Sequence, residues 1–305
     1  MLKKCCAALL AALAVAYCAW SPKTVVPVLM FHRVHDAPKF PEQSSTAQLT
    51  ALFDSLWKYG WVPVSVSDLV AGRLDLVVPK GKKPVVITID DGHPSVIYSA
   101  AQFPELGLGN QKSFLTVLCE TTNAHKLEPR GTAFICEDDA GGYLGAREPL
   151  SAALARIHAA APHFEVGYHT REHRFMKYMT PAQVRDALVS QREQFRSLGV
   201  FDMIAPVLAY PYGYAPAFGP QTILKELGFT AAVLAFPGNG EQKYDRIPVC
   251  RYDGALKSDR FLIPRTNIGA FGYARGKKGF FKIDPITDFQ KDTAGTTFYV
   301  SRGAK

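Results

Sequence analysis

Short apolar runs bounded by Gly, Pro or polar clusters recur along the chain, and they alternate with stretches whose apolar positions fall three and four apart. The first pattern predicts buried strands and the second amphipathic helices. Strands are expected at 25–32, 61–64, 85–89, 132–136, 164–169, 207–210 and 231–235. Helices are expected at 45–60, 95–103, 149–161, 180–198 and 221–227, with a helical turn at 66–71. Ser45 and Thr180 offer N-cap hydroxyls, while Gly60 and Gly228 stand where helices should stop. The glycine-containing segment 107–130 is expected to be mainly an insertion, and the tail from about Lys257, rich in Gly, Lys and Phe, takes no assignment.

Strand–helix alternation predicts an α/β fold with a mostly parallel sheet. Several strands end on polar residues, which favours a barrel over an open sheet. No internal repeat or low-complexity linker interrupts the chain, so 25–305 is expected to form one domain, with the tail beyond about 257 left open.

The stretch Val85-Val86-Ile87-Thr88-Ile89-Asp90-Asp91-Gly92-His93 stands out. A buried strand stops on two adjacent carboxylates, whose mutual repulsion and desolvation are costly unless a cation or solvent meets them. Gly92 allows a sharp exit, which would leave both acids at a strand-end mouth. Alone, the pair reads more readily as a solvated turn than as a site. His169-Thr170-Arg171-Glu172-His173 adds two imidazoles four apart, a spacing that puts both on one side of a helical turn. With a carboxylate from elsewhere they would form a His-His-Asp set suited to zinc or another divalent metal, and the Asp90-Asp91 strand end is the obvious donor.

Composition narrows the setting. The 305 residues carry 48% hydrophobic and 20% charged side chains, ordinary for a globular enzyme. The formal charge of +8 suits anionic surfaces or wall polymers, and no nucleic-acid-binding motif accompanies it. Residues 1–20 pair Lys3 and Lys4 with an apolar run and Ala14-Val15-Ala16, the layout of a signal peptide or N-terminal anchor. Cys18 suggests a lipid anchor, although bulky Tyr17 before it is a poor lipoprotein signal. Export to the periplasm, cell surface or medium is therefore expected. Beyond the leader, Cys119 and Cys136 could pair and leave Cys250 free, or all three could be buried thiols.

Thr88-Ile89-Asp90-Asp91-Gly92, His169-Thr170-x-x-His173 and Tyr210-Pro211-Tyr212-Gly213 occur in that order. Together they resemble the first three motifs of the polysaccharide deacetylases, the NodB-homology group or carbohydrate esterase family 4, over about 25–252. The opening Pro27-Val28-Leu29-Met30-Phe31-His32-Arg33-Val34 is similar to the start of the poly-N-acetylglucosamine subgroup, where a late Leu-x-His motif is moved to the N-terminus by circular permutation. The resemblance implies a distorted (β/α) barrel, seven-stranded, that removes N-acetyl groups from an N-acetylglucosamine polymer in the cell envelope. It implies a divalent metal, Zn2+ foremost with Co2+ or Ni2+ as alternatives, on Asp91, His169 and His173. Asp90 would be the general base and His32 the general acid. The Tyr212 N–H would hold the oxyanion, with Tyr210 and Pro211 in the same motif. Tyr168, Tyr210 and Tyr212 could line a sugar-stacking groove, and His93 is a turn residue or a substrate contact.

Three departures carry weight. Ala209 stands where the family usually has arginine, and Arg246 or Arg251 could supply the missing charge. No histidine follows His173, so either His32 supplies the acid or the site is impaired, and Ile89 replaces a usual phenylalanine, a mild change. Two other readings share these motifs: an esterase or amidase acting on another acetylated substrate, and a catalytically silent wall-glycan-binding protein.

Overall fold

The structure, a computed structural model, describes residues 24–38, 43–99, 111–137, 144–146, 148–235, 249–268, 273–276 and 279–282. The expected leader, Arg246 and residues 107–110 lie outside the described residues. In chain order the main elements are β1 (Thr24–Phe31), α1 (Thr46–Lys58), β2 (Trp61–Val64), α2 (Val66–Val70) and β3 (Lys83–Ile89). Next come α3 (Phe114–Ala124), β4 (Arg130–Ile135), α4 (Leu150–Ala160), β5 (His163–Tyr168) and α5 (Pro181–Ser197). Then follow β6 (Val207–Ala209), α6 (Gln221–Glu226), β7 (Ala231–Val233), β8 (Val249–Tyr252) and β9 (Thr266–Asn267).

The sheet runs β8-β1-β3-β4-β5-β6-β7, with β2 paired to β3 and β9 paired to β1. All neighbours are parallel except β8, which runs antiparallel along the first half of β1. The segment 260–268 closes the curl. On one side the Ile263 N–H donates to the carbonyl of Ala232 in β7, and the Ile263 carbonyl accepts from the N–H of Leu234 just beyond that strand. On the other, Thr266 and Asn267 pair with Leu29 and Met30 of β1. A ring of seven strand segments results, the (β/α) barrel with fewer than eight units that the sequence implied.

Alternation along the strands sorts side chains into two cores. Val28, Val86, Phe134, Val207, Ala209, Val233 and Ile263 point into the barrel. Leu29, Phe31, Ile87, Ile89, Ala133, Phe164, Val166, Tyr168, Leu208 and Tyr210 point outward beneath the helices. Helix α1 shows why the outer layer forms where it does. Ser45 and Gln48 make a capping box at its start, and Leu49, Leu52, Phe53, Leu56 and Trp57 make one buried stripe.

Two expectations need correction. Of the helix expected at 95–103, the described residues form only a 3₁₀ turn at Pro94–Val96, capped by His93. The expected insertion instead contains α3, whose Phe114, Leu115, Val117 and Leu118 are buried against the core. Its β-branched residues weaken the local helical signal. Tertiary packing overrides them: Phe114 lies 5.7 Å from Phe53 and 5.3 Å from Phe31, ring centre to ring centre. Trp57 Nε1 also donates to Thr121 Oγ1 across the α1–α3 seam at 3.1 Å. Cys119, Cys136 and Cys250 are free thiols, the last two buried and Cys119 half-buried, so no Cys119–Cys136 bridge is made.

Candidate active site

Every strand that contributes to the site does so from its C-terminal end, where parallel strands open onto one mouth. Asp90 continues the inward parity of Val86 and Thr88 and lies inside the barrel. Its neighbour Asp91 turns out of the strand with φ 72°, followed by Gly92 with φ 73°. Both residues thus bend left-handed, where glycine alone was expected to. His169 follows β5 on the inward parity. Gln191 of α5 fixes it, accepting the His169 backbone N–H at 3.2 Å while donating to the Ile135 carbonyl at 2.7 Å.

The two histidines do not share a helical turn. His169 ends a strand, and left-handed backbone at Thr170 (φ 56°) and His173 (φ 47°) folds the loop back. The rings meet with their centres 4.7 Å apart. Four of the five non-glycine residues with positive φ among the described residues are Asp91, Thr170, His173 and Tyr212, all at this mouth. Such backbone costs of order ~1–3 kcal/mol per residue and persists only where its surroundings impose it.

Asp91 Oδ1 lies 3.4 Å from His169 Nε2 and 3.6 Å from His173 Nε2. Donor atoms around a tetrahedral ion with bonds of ~2.0–2.1 Å stand about 3.4 Å apart, so one carboxylate and two imidazoles have the spacing to share a divalent cation. The donor chemistry agrees. His169 Nδ1 lies 2.8 Å from the Ala209 carbonyl, a partner that can only accept, so Nδ1 carries a proton and Nε2, facing Asp91, is the atom left to take either a second proton or a cation. Burial, with the neighbouring His169 charge, pushes His173 down to about 4, leaving it neutral and able to ligate at pH 7. Burial raises the Asp91 carboxyl, but the His169 hydrogen bond and the charges of His32, His169 and His173 outweigh it and hold the group well below its usual range. His169 is pushed down by burial and up further by Asp91 and Asp90, for a net rise.

The second carboxylate has a different partner. Arg265, on the closing segment, is wholly buried and grips Asp90 with both arms: Nη1 to Oδ1 and Nη2 to Oδ2, each 2.6 Å. The guanidinium also donates from Nη1 to Thr88 Oγ1 at 3.1 Å and from Nε to the Leu234 carbonyl at 2.7 Å. Burial alone would raise Asp90, but Arg265 foremost, then His169, pull it below its ordinary value. Asp90 is therefore a buried carboxylate kept charged by a two-pronged cation.

His32 leaves β1 at the same mouth. Its charge acts on Asp90, Asp91 and His173, and its Nδ1 is buried without a hydrogen-bond partner among the described residues. Tyr212 sits on the β6 turn with φ 57°, 57% exposed, its ring centre 4.6 Å from that of His173. Gly213 behind it is obligatory: a Cβ there would lie 1.9 Å from the Ala235 Cβ.

The chain matches the polysaccharide deacetylase family over residues 78–232, slightly more than half of its length. This chain belongs to that family. Polysaccharide deacetylase BA0330 of Bacillus anthracis shares the fold at TM-score 0.56 and 18% identity, covering 81% of this chain and 66% of its own. Deacetylase PplD of Streptococcus pyogenes, solved with acetate, matches at TM-score 0.51 and 13% identity over 79% of this chain and 93% of its own. IcaB of Ammonifex degensii matches at TM-score 0.51 and 16% identity, over 79% and 91%. No curated protein sequence matches the chain.

Within this deacetylase-family chain the mouth brings together His32, Asp90, Asp91, His169, His173 and Tyr212. Other expected residues fall elsewhere, for reasons of strand parity and direction. Tyr168 and Tyr210 are on the outward parity and buried; Tyr210 donates its hydroxyl to the Phe261 carbonyl at 3.0 Å, so neither lines a groove. Pro211 is buried at the base of the turn. Arg251 is exposed and pairs with Val25 at the far end of β1 because β8 is antiparallel, so it does not supply the charge missing at Ala209. His93 is buried, with Ser95 N–H donating to its Nδ1 at 3.2 Å. Burial, with the Arg33 charge, pushes it down to about 4, and its role is to cap the turn. Arg265 was not anticipated. Its only signal is a lone charge ending the apolar run Phe261-Leu262-Ile263-Pro264, the same arrangement as the other strand ends.

Proposed function

We propose that the chain hydrolyses N-acetyl groups from N-acetylglucosamine units of a glycan polymer. The observation that carries this reading is an arginine-clamped, charged Asp90 beside three converging donors, with His32 on the same rim. Asp91, His169 and His173 would hold a divalent cation, zinc by the preference of two imidazoles and one carboxylate, which would supply Lewis-acid polarisation of the acetamide carbonyl and acidify water. Asp90 takes a proton from the water whose oxygen bonds to the acetyl carbon. The Tyr212 N–H donates to the oxygen on which negative charge develops. His32 protonates the sugar nitrogen as the C–N bond breaks, so acetate and a glucosamine unit leave. The arginine whose absence at position 209 speaks for a silent glycan binder is present at 265 instead. The lysine-flanked apolar leader supports export, with action on an envelope or extracellular glycan.

The decisive assay is acetate release from N-acetylglucosamine oligomers, with chelator, with metal add-back, and in Asp90→Asn. Loss of release on chelation, its return with Zn2+, Co2+ or Ni2+, and a fall of at least ~100-fold in the variant are expected. Chelator-insensitive release, or wild-type rates without the Asp90 carboxylate, would refute the assignment. An O-acetyl ester cleaved faster than every acetamide would move the reading to an esterase.

A further inference from the structure

Six large apolar or aromatic side chains are exposed among the described residues, and three of them, Phe175, Tyr178 and Tyr212, form one contacting series. Tyr212 joins the series at its inner end, against His173. Its ring centre is 5.8 Å from that of Phe175, which in turn is 5.7 Å from Tyr178 and 5.4 Å from Tyr214. The rings meet edge to face at interplanar angles of 63–71°, so they make a faceted ridge leading outward from the mouth. Lys177 Nζ lies 5.1 Å from the Tyr214 ring centre and 5.4 Å from that of Tyr178, a cation held against two ring faces.

The ridge is anchored from below. Met176 is wholly buried, and the Lys177 carbonyl accepts the Ala217 N–H at 3.1 Å. Phe175 is 39% and Tyr178 77% exposed, so the loop spends its core contacts on Met176 and keeps both aromatic rings in solvent. Exposed aromatic clusters of this kind mark binding surfaces. Continuity with His173 through Tyr212 puts the inner end of the ridge beside the candidate metal ligands. The apolar faces of pyranose rings suit successive aromatic facets. The Lys177 ammonium adds a selection: it repels a glucosaminium unit but not a neutral N-acetylated one.

We infer that Phe175, Tyr178 and Tyr214, with Lys177, form a subsite ridge that binds N-acetylated sugar units flanking the one at the mouth. This rests on the proposed function and names the part of the polymer that the site reads. A chain whose flanking units are acetylated is held, and one already deacetylated there is released.

The test is binding of N-acetylglucosamine oligomers of two to six units, and of their deacetylated counterparts, to the full-length protein. Isothermal titration and saturation-transfer NMR report binding, and acetate release is followed in parallel. Affinity should rise with length for acetylated oligomers, and Phe175→Ala/Tyr178→Ala should weaken binding of four units and longer roughly tenfold, flattening the length dependence. Tyr178→Ala alone, at the most exposed ring, should show part of that loss, and Tyr178→Phe should retain affinity. Lys177→Gln should narrow the preference for acetylated over deacetylated oligomers. Unchanged affinity for long oligomers in both alanine variants overturns the ridge even if acetate is released, as does equal binding of deacetylated oligomers by the wild type. Length-dependent binding without acetate release sinks the hydrolytic reading and leaves the ridge standing.

Discussion

Replacing Arg265 with methionine keeps most of its apolar stem and removes the cation. In the wild type the guanidinium and the Asp90 carboxylate are 0% and 4% exposed, and two bonds of 2.6 Å join them. Deleting one partner of such a pair strands the other, a loss of about 3–5 kcal/mol. At ~2–4 °C per kcal/mol for a domain of this size, melting should fall by roughly 6–20 °C at pH 7. The sign with pH is also set. The folded Asp90 pKa lies below its unfolded value in the wild type, so its stabilising contribution is full above that unfolded value and fades as pH falls through the folded one. Without Arg265, burial dominates and the folded pKa rises above the unfolded value. The penalty is then greatest at neutral pH and shrinks as the medium is acidified towards the unfolded carboxyl value of about 4. Thermal melts of chelated protein at pH 5 and pH 7, for wild type, Arg265→Met, Asp90→Asn and the double variant, close a thermodynamic cycle. The double variant should recover at least ~2 kcal/mol over Arg265→Met, because no buried charge is left alone. Acetate release by Arg265→Met should fall ~100-fold or more at pH 7, since the base is then held protonated. An Arg265→Met protein melting within about 2 °C of wild type at both pH values, with its rate intact, would refute the clamp.

Three further outcomes are expected. His169→Ala and His173→Ala should each weaken binding of one zinc equivalent by at least ~100-fold in a competition titration with a chromophoric chelator, and wild-type affinity in either would remove that histidine from the ligand set. Gly213→Ala should lower stability by about 2 kcal/mol or more and displace Tyr212, because the added methyl meets Ala235 and the residue must keep φ 77°. Normal melting together with a normal rate would show that the turn relaxes freely. Glu165, whose folded pKa is raised by burial despite hydrogen bonds from Thr132 and Ser67, contributes stability that is full at acid pH and lost as pH rises. Glu165→Gln should therefore gain on the wild type in melts from pH 4 to pH 7, and a gap that narrows with rising pH would contradict that burial cost.

Apolar runs ending on Asp90, His169 and His32 were legible because strand termini in a parallel barrel expose whatever follows the last inward residue. The capping boxes at Ser45–Gln48 and Thr180–Gln183 made the long helices equally plain. Less legible was which way each tyrosine faces. A one-residue change of parity separates outward-facing Tyr168 from inward-facing His169, which only strand register decides, and the left-handed turn after β6 separates buried Tyr210 from exposed Tyr212. Helix α3 was hidden by its threonines, which need the packing against α1 to become helical. Arg265 was hidden most thoroughly. Hydropathy counts a lone arginine as a surface residue, and the acid that brings it indoors lies 175 positions earlier in the chain.

That separation has a consequence for biogenesis. The stave that completes the ring, residues 260–268, also carries the counter-ion for a carboxylate laid down in the first third of the polypeptide. A ribosome-bound or clipped chain ending before residue 260 lacks both the last wall and the cation that lets Asp90 stay ionised indoors. An ionised Asp90 and a closed ring therefore arrive together, with one short segment of the chain.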